Sequence, residues 1–136
     1  MEKSCGAVIY KYKNNELYFL ILKHLKGHYS FSKGHVENNE TEYETAEREI
    51  KEETNLNIEF INGFRKTSIY SPKENNLKEV VLFLAKDKGN SILKPQLDEI
   101  SEISWYKEND ALNILTYEED KNILKDAILF LRKRNI

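Results

Sequence analysis

Glu49, Glu52 and Glu53 stand at positions i, i+3 and i+4 of the glutamate-rich stretch GHVENNETEYETAEREIKEETNL, residues 34–56. On a helix, successive residues turn by about 100°, so this spacing puts three carboxylates on one face over adjacent turns. Without a cation they repel one another. Hard divalent cations such as Mg2+ or Mn2+ take oxygen ligands and relieve that repulsion, so the chemistry this face suits is metal binding. A simpler account of part of the stretch also exists. Glu44, Arg48 and Glu52 are spaced i, i+4, i+8 and would form a solvated ion-pair ladder on their own.

The elements that position these residues are legible around them. A helix is expected from about Thr41 to Thr54, opened by the T-x-x-E capping box of Thr41 and Glu44. Tyr43, Ala46 and Ile50 fall within one narrow sector of it and should face the core. Upstream, CGAVIYKYK and ELYFLILKHL are β-branched and aromatic runs separated by Asn14 and Asn15, the pattern of a hairpin. HYSFSKGHVENN between that hairpin and the helix is mostly polar, contains Gly34, and is expected as a loop. Downstream, NIEFINGFRKTSIY and EVVLFLAKD are expected strands around a polar loop, SPKENN, and EISWY is a short strand. NDALNILTY and EEDKNILKDAILFLRKRN are expected helices, the second with an apolar stripe through Ile123, Leu124, Ile128 and Leu131. Strands with an inserted helix and then terminal helices predict an α/β fold, a mixed sheet covered by helices.

Composition narrows the function classes. At 136 residues the chain is expected to form one domain, residues 1–136, with no linker, repeat or low-complexity block. Hydrophobic and charged fractions of 40% and 32% suit a soluble globular protein. A net charge of −2 offers no global basic field for nucleic acid, so a phosphorylated ligand needs a local basic patch. Cys5 is the only cysteine, which excludes an intrachain disulfide and points to a reducing, cytoplasmic setting. No signal-peptide pattern opens the chain, and no apolar run approaches the roughly 20 residues that span a bilayer, so no membrane partner is expected.

The spacing of the acidic stretch carries more than its composition. Gly34, five residues, Glu40, seven residues, then Arg48, Glu49, Ile50, Lys51, Glu52, Glu53, Thr54, Asn55 and Leu56 resemble the Nudix box, G-x5-E-x7-R-E-U-x-E-E-x-G-U, with U a bulky aliphatic residue. Eight of its nine specified positions are present. Each identity arises by chance roughly once in fifteen, so six at fixed spacing outweigh the solvated-ladder account. The departure is Asn55 in place of glycine, where the helix must end in a left-handed turn; asparagine is the next most tolerant residue. The resemblance implies a Nudix α/β/α sandwich and hydrolysis of a nucleoside diphosphate linked to another moiety. It also implies roles. Glu52 and Glu53 would be the main metal ligands, with the Gly34 carbonyl as a further one. Glu49 would bind metal or deprotonate water, oriented by Arg48, and Glu40 would brace the loop and helix.

The flanks resemble one branch of that family, the asymmetrical diadenosine tetraphosphate hydrolases. HYSFSKGHVE is similar to their HW-x-x-PKGHVE segment: His28, Lys33, Gly34, His35, Val36 and Glu37 match, while Tyr29 replaces a tryptophan and Ser32 a proline. Cys5 and Gly6 match in the first strand. Gly63, Phe64, Tyr70, Lys73, Lys78 and Val80 match a later segment, and Glu99, six residues before Trp105, matches a glutamate that faces the Nudix helix. The resemblance implies that His28 and Lys33 contact the phosphate chain, which Lys73 and Lys78 are expected to surround with Lys33, that His35 binds substrate, and that Tyr70 and Tyr117 hold an adenine ring. Glu99 joins Glu49 and Glu53 as a candidate base. It further implies Mg2+ or Mn2+, a dinucleoside polyphosphate as substrate, ATP and AMP as products, and no stable nucleic-acid partner. Two alternatives stay open: a pyrophosphohydrolase of other nucleotides or of 5′-polyphosphorylated RNA, and a Nudix-fold sensor that binds nucleotide without turnover. The intact Glu49, Glu52 and Glu53 argue against the sensor.

Overall fold

The computed structural model describes residues 2–73 and 76–135, with Pro72 and Lys73 described by backbone alone. Strand β1 (Glu2–Lys13) and β2 (Glu16–His24) form the expected antiparallel hairpin. Its two-residue turn has Asn14 and Asn15 at φ 53° and 66°, the left-handed pair that matches the twist of the flanking strands. The segment read from sequence as a loop instead contains two short strands, β3 (Tyr29–Ser30) and β4 (Ser32–His35). β3 pairs with β2, and for β4 the physical reason is Gly6. β4 lies antiparallel to β1 with Lys33 opposite Gly6, and a Cβ on Gly6 would overlap the Ser32 carbonyl and Lys33. Only the bare backbone there admits the strand.

Helix α1 spans Glu42–Thr54 with Thr41 as N-cap, and both halves of the capping box are made. Strands β5 (Ile58–Lys73) and β6 (Asn76–Asp87) pair antiparallel almost to their ends, so they run further than the sequence suggested and shorten the polar loop. Backbone pairing extends a strand through polar residues when a partner strand is already beside it. β7 (Ile100–Lys107), α2 (Glu108–Ile114) and α3 (Glu118–Arg134) complete the described residues.

The sheet order is β3-β2-β1-β6-β5, with β4 paired to β1 and β7 to β2. β1 and β6 are parallel and the other pairs antiparallel, so the sheet is mixed. Alternation along β1 and β6 splits the core. Cys5, Ala7, Ile9, Val81, Phe83 and Ala85 pack with Ala46 and Ile50 of α1. Val8, Tyr10, Val80, Leu82 and Leu84 pack on the other side with Leu124, Ala127, Ile128 and Leu131 of α3. Each fully buried large apolar side chain contributes about 1.5–3 kcal/mol, which is what fixes α1 against the sheet through Ile50. Tyr43, expected in that core, is 43% exposed and lies at its rim. Its ring stacks on Phe83 at 4.1 Å and meets Phe60 edge-on at 4.8 Å, while its open side faces solvent at the helix start.

Candidate active site

Arg48 is the hub of the acidic face. Its Nε and one terminal nitrogen donate to Glu40 at 2.7 and 3.0 Å, and its other terminal nitrogen donates to Glu49 at 2.8 Å and Glu52 at 3.2 Å. It also donates to the His35 carbonyl at 2.9 Å, which ties α1 to the end of β4. Glu40 in turn accepts from the Glu37 amide and the Thr45 hydroxyl. The Arg48 guanidinium holds the Glu40 carboxyl down at about 2, and its carboxylate neighbours push the Arg48 pKa up. Glu40 thus braces the loop before the helix, and Arg48 sets the direction of Glu49. The left-handed turn expected at Asn55 is present, at φ 67°, with its amide bonded to the Lys51 carbonyl.

β4 lays its alternate residues on opposite faces of the sheet. Ser32 and Gly34 face α1. A Cβ on Gly34 would overlap the Glu49 carboxylate, so glycine is what lets that carboxylate lie against the β4 backbone. The Ser32 hydroxyl donates to Glu53 Oε1 at 2.5 Å, and both residues are buried, at 1% and 4% exposure. Burial, helped by Glu49 and Glu99 and opposed by Ser32 and Lys33, pushes the Glu53 carboxyl up to about 7. Burial also raises Glu49, against the pull of Arg48. Glu99 is exposed on the loop before β7, close enough to raise both carboxyls. That loop is pinned to the end of α1 by Lys94 and Gln96 amides donating to the Thr54 and Glu53 carbonyls at 2.9 and 3.1 Å.

Lys33 faces the other side of β4. Its ammonium lies 3.5 Å from the hydroxyl of buried Ser30, which is 2.7 Å from His24 Nε2. His24 stacks on His28 at 4.3 Å with the rings nearly parallel, and His28 meets Tyr117 at 5.8 Å. Burial pushes His24 down to about 4 and lowers His28, with Lys33 adding to both. Asp120, in the first turn of α3, is raised by burial and drawn down by Lys33. Reciprocal bonds between Tyr29 and Thr116 fix the α2–α3 junction, and hence 53%-exposed Tyr117, against β3.

Two of the remaining expected residues, Lys78 and Tyr70, lie along one row of the sheet. Glu2, Lys78 and Tyr70 are register neighbours on β1, β6 and β5. Lys78 pairs with Glu2 at 3.3 Å, and His35 lies 3.7 Å from the same carboxylate. The structure therefore brings Arg48, Glu49, Glu52, Glu53 and Gly34 together. It groups Lys33, His28 and Tyr117 behind β4, and sets Lys78 and Tyr70 in a separate row with His35 beside its Glu2 carboxylate. The Lys73 side chain lies outside the described residues. The sequence reading missed His24, Ser30, Ser32 and Asp120. Ser32 carried a signal, because it stands directly before Lys33 and Gly34 in a position where the resembling enzymes have proline.

The NUDIX domain model matches residues 3–127. The chain belongs to the NUDIX domain family. As a Nudix hydrolase it is similar to the asymmetrical bis(5′-nucleosyl)-tetraphosphatase of Mus musculus, at 29% identity over 95% of each chain. It is likewise similar to the one of Caenorhabditis elegans, at 33% identity over 95% of this chain and 96% of the relative. Among solved structures, the crystal structure of a C. elegans Ap4A hydrolase binary complex superposes with a TM-score of 0.89 at 28% identity, over 98% of this chain and 99% of that one. The Nudix α/β/α sandwich expected from sequence is what the chain adopts.

The Nudix donor set fits a divalent cation on its chemistry. Three carboxylates share one helix face, and Glu53 is buried among described residues with a hydroxyl donor but no lysine or arginine within ion-pair distance. Burial first, and then Glu49 and Glu99, make the charged form of Glu53 costly, a cost that a bound cation would offset. Among the described residues no three acidic, histidine or cysteine side chains converge as they stand. Arg48 engages Glu49 and Glu52, and Ser32 engages Glu53. No helix among the described residues is long and apolar enough to cross a membrane.

Proposed function

We propose that this Nudix hydrolase, acting as one domain, cleaves diadenosine tetraphosphate to ATP and AMP. The observation that carries the reading is the division of labour at β4: one strand turns Ser32 and Gly34 to the carboxylates of α1 and Lys33 to the opposite side. A polyanion drawn to Lys33 is thereby held within a few residues of a cation-binding face. The similarity to the asymmetrical tetraphosphatases supports the choice of substrate.

Glu52, Glu53, Glu49 and the Gly34 carbonyl would hold Mg2+ or Mn2+, which supplies charge neutralisation on the polyphosphate. The chain's own residues do the rest. A water attacks one phosphorus, the bridging P–O bond breaks, and the departing phosphate leaves with the ATP or AMP half. The water's proton passes to a carboxylate, and Glu49, Glu53 and Glu99 are the candidates. Glu49 is aimed by Arg48, Glu53 sits in the driest position, and Glu99 approaches from the facing loop. Lys33, Lys73 and Lys78 neutralise the phosphate chain, His28 and His35 bind the substrate beside them, and Tyr70 and Tyr117 take the nucleobase. The setting is the cytoplasm, in keeping with the buried free thiol of Cys5.

The test is direct. Purified protein with Mg2+ is incubated with dinucleoside polyphosphates, nucleoside triphosphates, ADP-ribose and 5′-triphosphorylated RNA, and the products are separated. Diadenosine tetraphosphate should give equal ATP and AMP with the highest kcat/KM of the panel. Preference for a triphosphate or for RNA would make it a broader pyrophosphohydrolase, and tight binding without products would make it a sensor.

A further inference from the structure

We propose that Ser32 is a positioning residue of the metal site, holding the Glu53 carboxylate in the orientation that binds the cation. The proposal rests on Glu53 being a metal ligand. Ser32 is 1% exposed and its hydroxyl lies 2.5 Å from Glu53 Oε1, a charge-assisted distance. The geometry around the pair leaves few alternatives for that donor. Ser32 is opposite Ala7 in the β1–β4 ladder, so its backbone is fixed by the sheet and its side chain must point at α1. Glu53 follows Glu52 near the end of α1, where the Glu53 carbonyl is already taken by the Gln96 amide, so its backbone is fixed too. The side-chain torsions of Glu53 are then the remaining freedom, and one hydrogen bond to Oε1 sets the plane of the carboxylate and leaves Oε2 open.

A group that orients a metal-binding carboxylate through its second oxygen acts on affinity without touching the ion. The resembling enzymes carry proline at this position and have no hydroxyl to offer, so the device belongs to this chain. The same hydroxyl also gives a carboxylate that is 4% exposed a hydrogen-bond donor where no arginine or lysine among the described residues pairs with it. A residue that merely filled space at position 32 would leave cation affinity alone when exchanged for one of equal shape.

The experiment titrates Mn2+ into the metal-free full chain without substrate, following free Mn2+ by electron paramagnetic resonance. S32A should weaken Mn2+ binding by about tenfold or more. S32T, which keeps the hydroxyl, should bind near the wild-type level, and S32V, its isostere without the hydroxyl, should behave like S32A. If S32A fails to fold, the S32T and S32V pair carries the comparison at equal volume. Equal Mn2+ affinity in S32T and S32V overturns the proposal. E53Q separates this from the underlying reading: a weakened E53Q with equal S32T and S32V defeats Ser32 alone, whereas Mn2+ binding unchanged in E53Q removes Glu53 from the metal site and both claims with it.

Discussion

Replacing Glu53 by glutamine keeps the shape of the side chain and removes its charge, so it should raise stability while abolishing turnover. The carboxyl is 4% exposed and its pKa is pushed from 4.5 to about 7 by burial first and by Glu49 and Glu99 next. In the folded state it keeps its proton up to about 7, whereas the unfolded chain releases it near 4.5. Across that window the folded state binds more protons, so wild-type stability falls as pH rises. A shift of roughly 2.5 units at about 1.36 kcal/mol per unit amounts to about 3 kcal/mol. Glutamine has no proton to lose, and its amide oxygen still accepts from Ser32. The variant should therefore match wild type at pH 4.5 and exceed it by up to about 3 kcal/mol at pH 8, a rise in Tm of about 10 °C for a domain of this size. Thermal unfolding followed by circular dichroism, in EDTA at several pH values, reads this directly. Turnover of diadenosine tetraphosphate should fall at least about a hundredfold. Equal melting temperatures at pH 8, or a gap of the same size at pH 4.5 and pH 8, would refute the account of Glu53 as a carboxylate that is costly when charged. Turnover within a few fold of wild type would separately remove it from the metal site.

Other outcomes follow from the same structure. Lys33→Ala, Lys73→Ala and Lys78→Ala should each raise KM and flatten its dependence on salt, read from initial rates between low and high ionic strength; no change in any of the three would displace the phosphate site. Tyr70→Ala and Tyr117→Ala should each raise KM for diadenosine tetraphosphate by about tenfold or more with a smaller effect on kcat, by analogy with base stacking worth roughly 1–3 kcal/mol. A bound dinucleotide analogue whose adenines lie away from both rings would contradict this. Glu42 accepts from Lys3 at 2.6 Å and from Arg65 through two bonds of 2.8 Å, which joins β1, α1 and β5, and the Arg65 guanidinium holds its carboxyl down at about 2. Glu42→Gln should cost about 1 kcal/mol at pH 7, discounted for the solvent exposure of its partners. Because the folded pKa is depressed, that gap should close as pH falls from 4.5 toward 2 in urea unfolding; a gap independent of pH would mean that the charge contributes nothing.

The sequence by itself determined the elements whose signals are local. The helix carrying the acidic face was legible from its capping box and apolar sector, and its stop at Asn55 from the chain's need for a left-handed residue. The β1–β2 turn was legible from two adjacent asparagines, and the family from fixed spacing between charged residues that no packing argument requires. Tertiary structure alone decided what depends on residues far apart in the chain. β4 is a strand because Gly6, some 26 residues upstream, leaves room for its backbone, and β3 because β2 lies beside it; a short polar segment has no local reason to be extended. Tyr43 sits at the rim rather than within the core because the depth of a helix residue is set by where the sheet ends beneath it. The site followed the same division. Glu49, Glu52 and Glu53 were placed on one face by helix geometry, but that Glu49 and Glu52 share Arg48 while Glu53 turns to Ser32 is a result of how β4 docks. Burial is a sum over both faces of the sheet, so no reading of the acidic stretch could tell which of its carboxylates would lose contact with water.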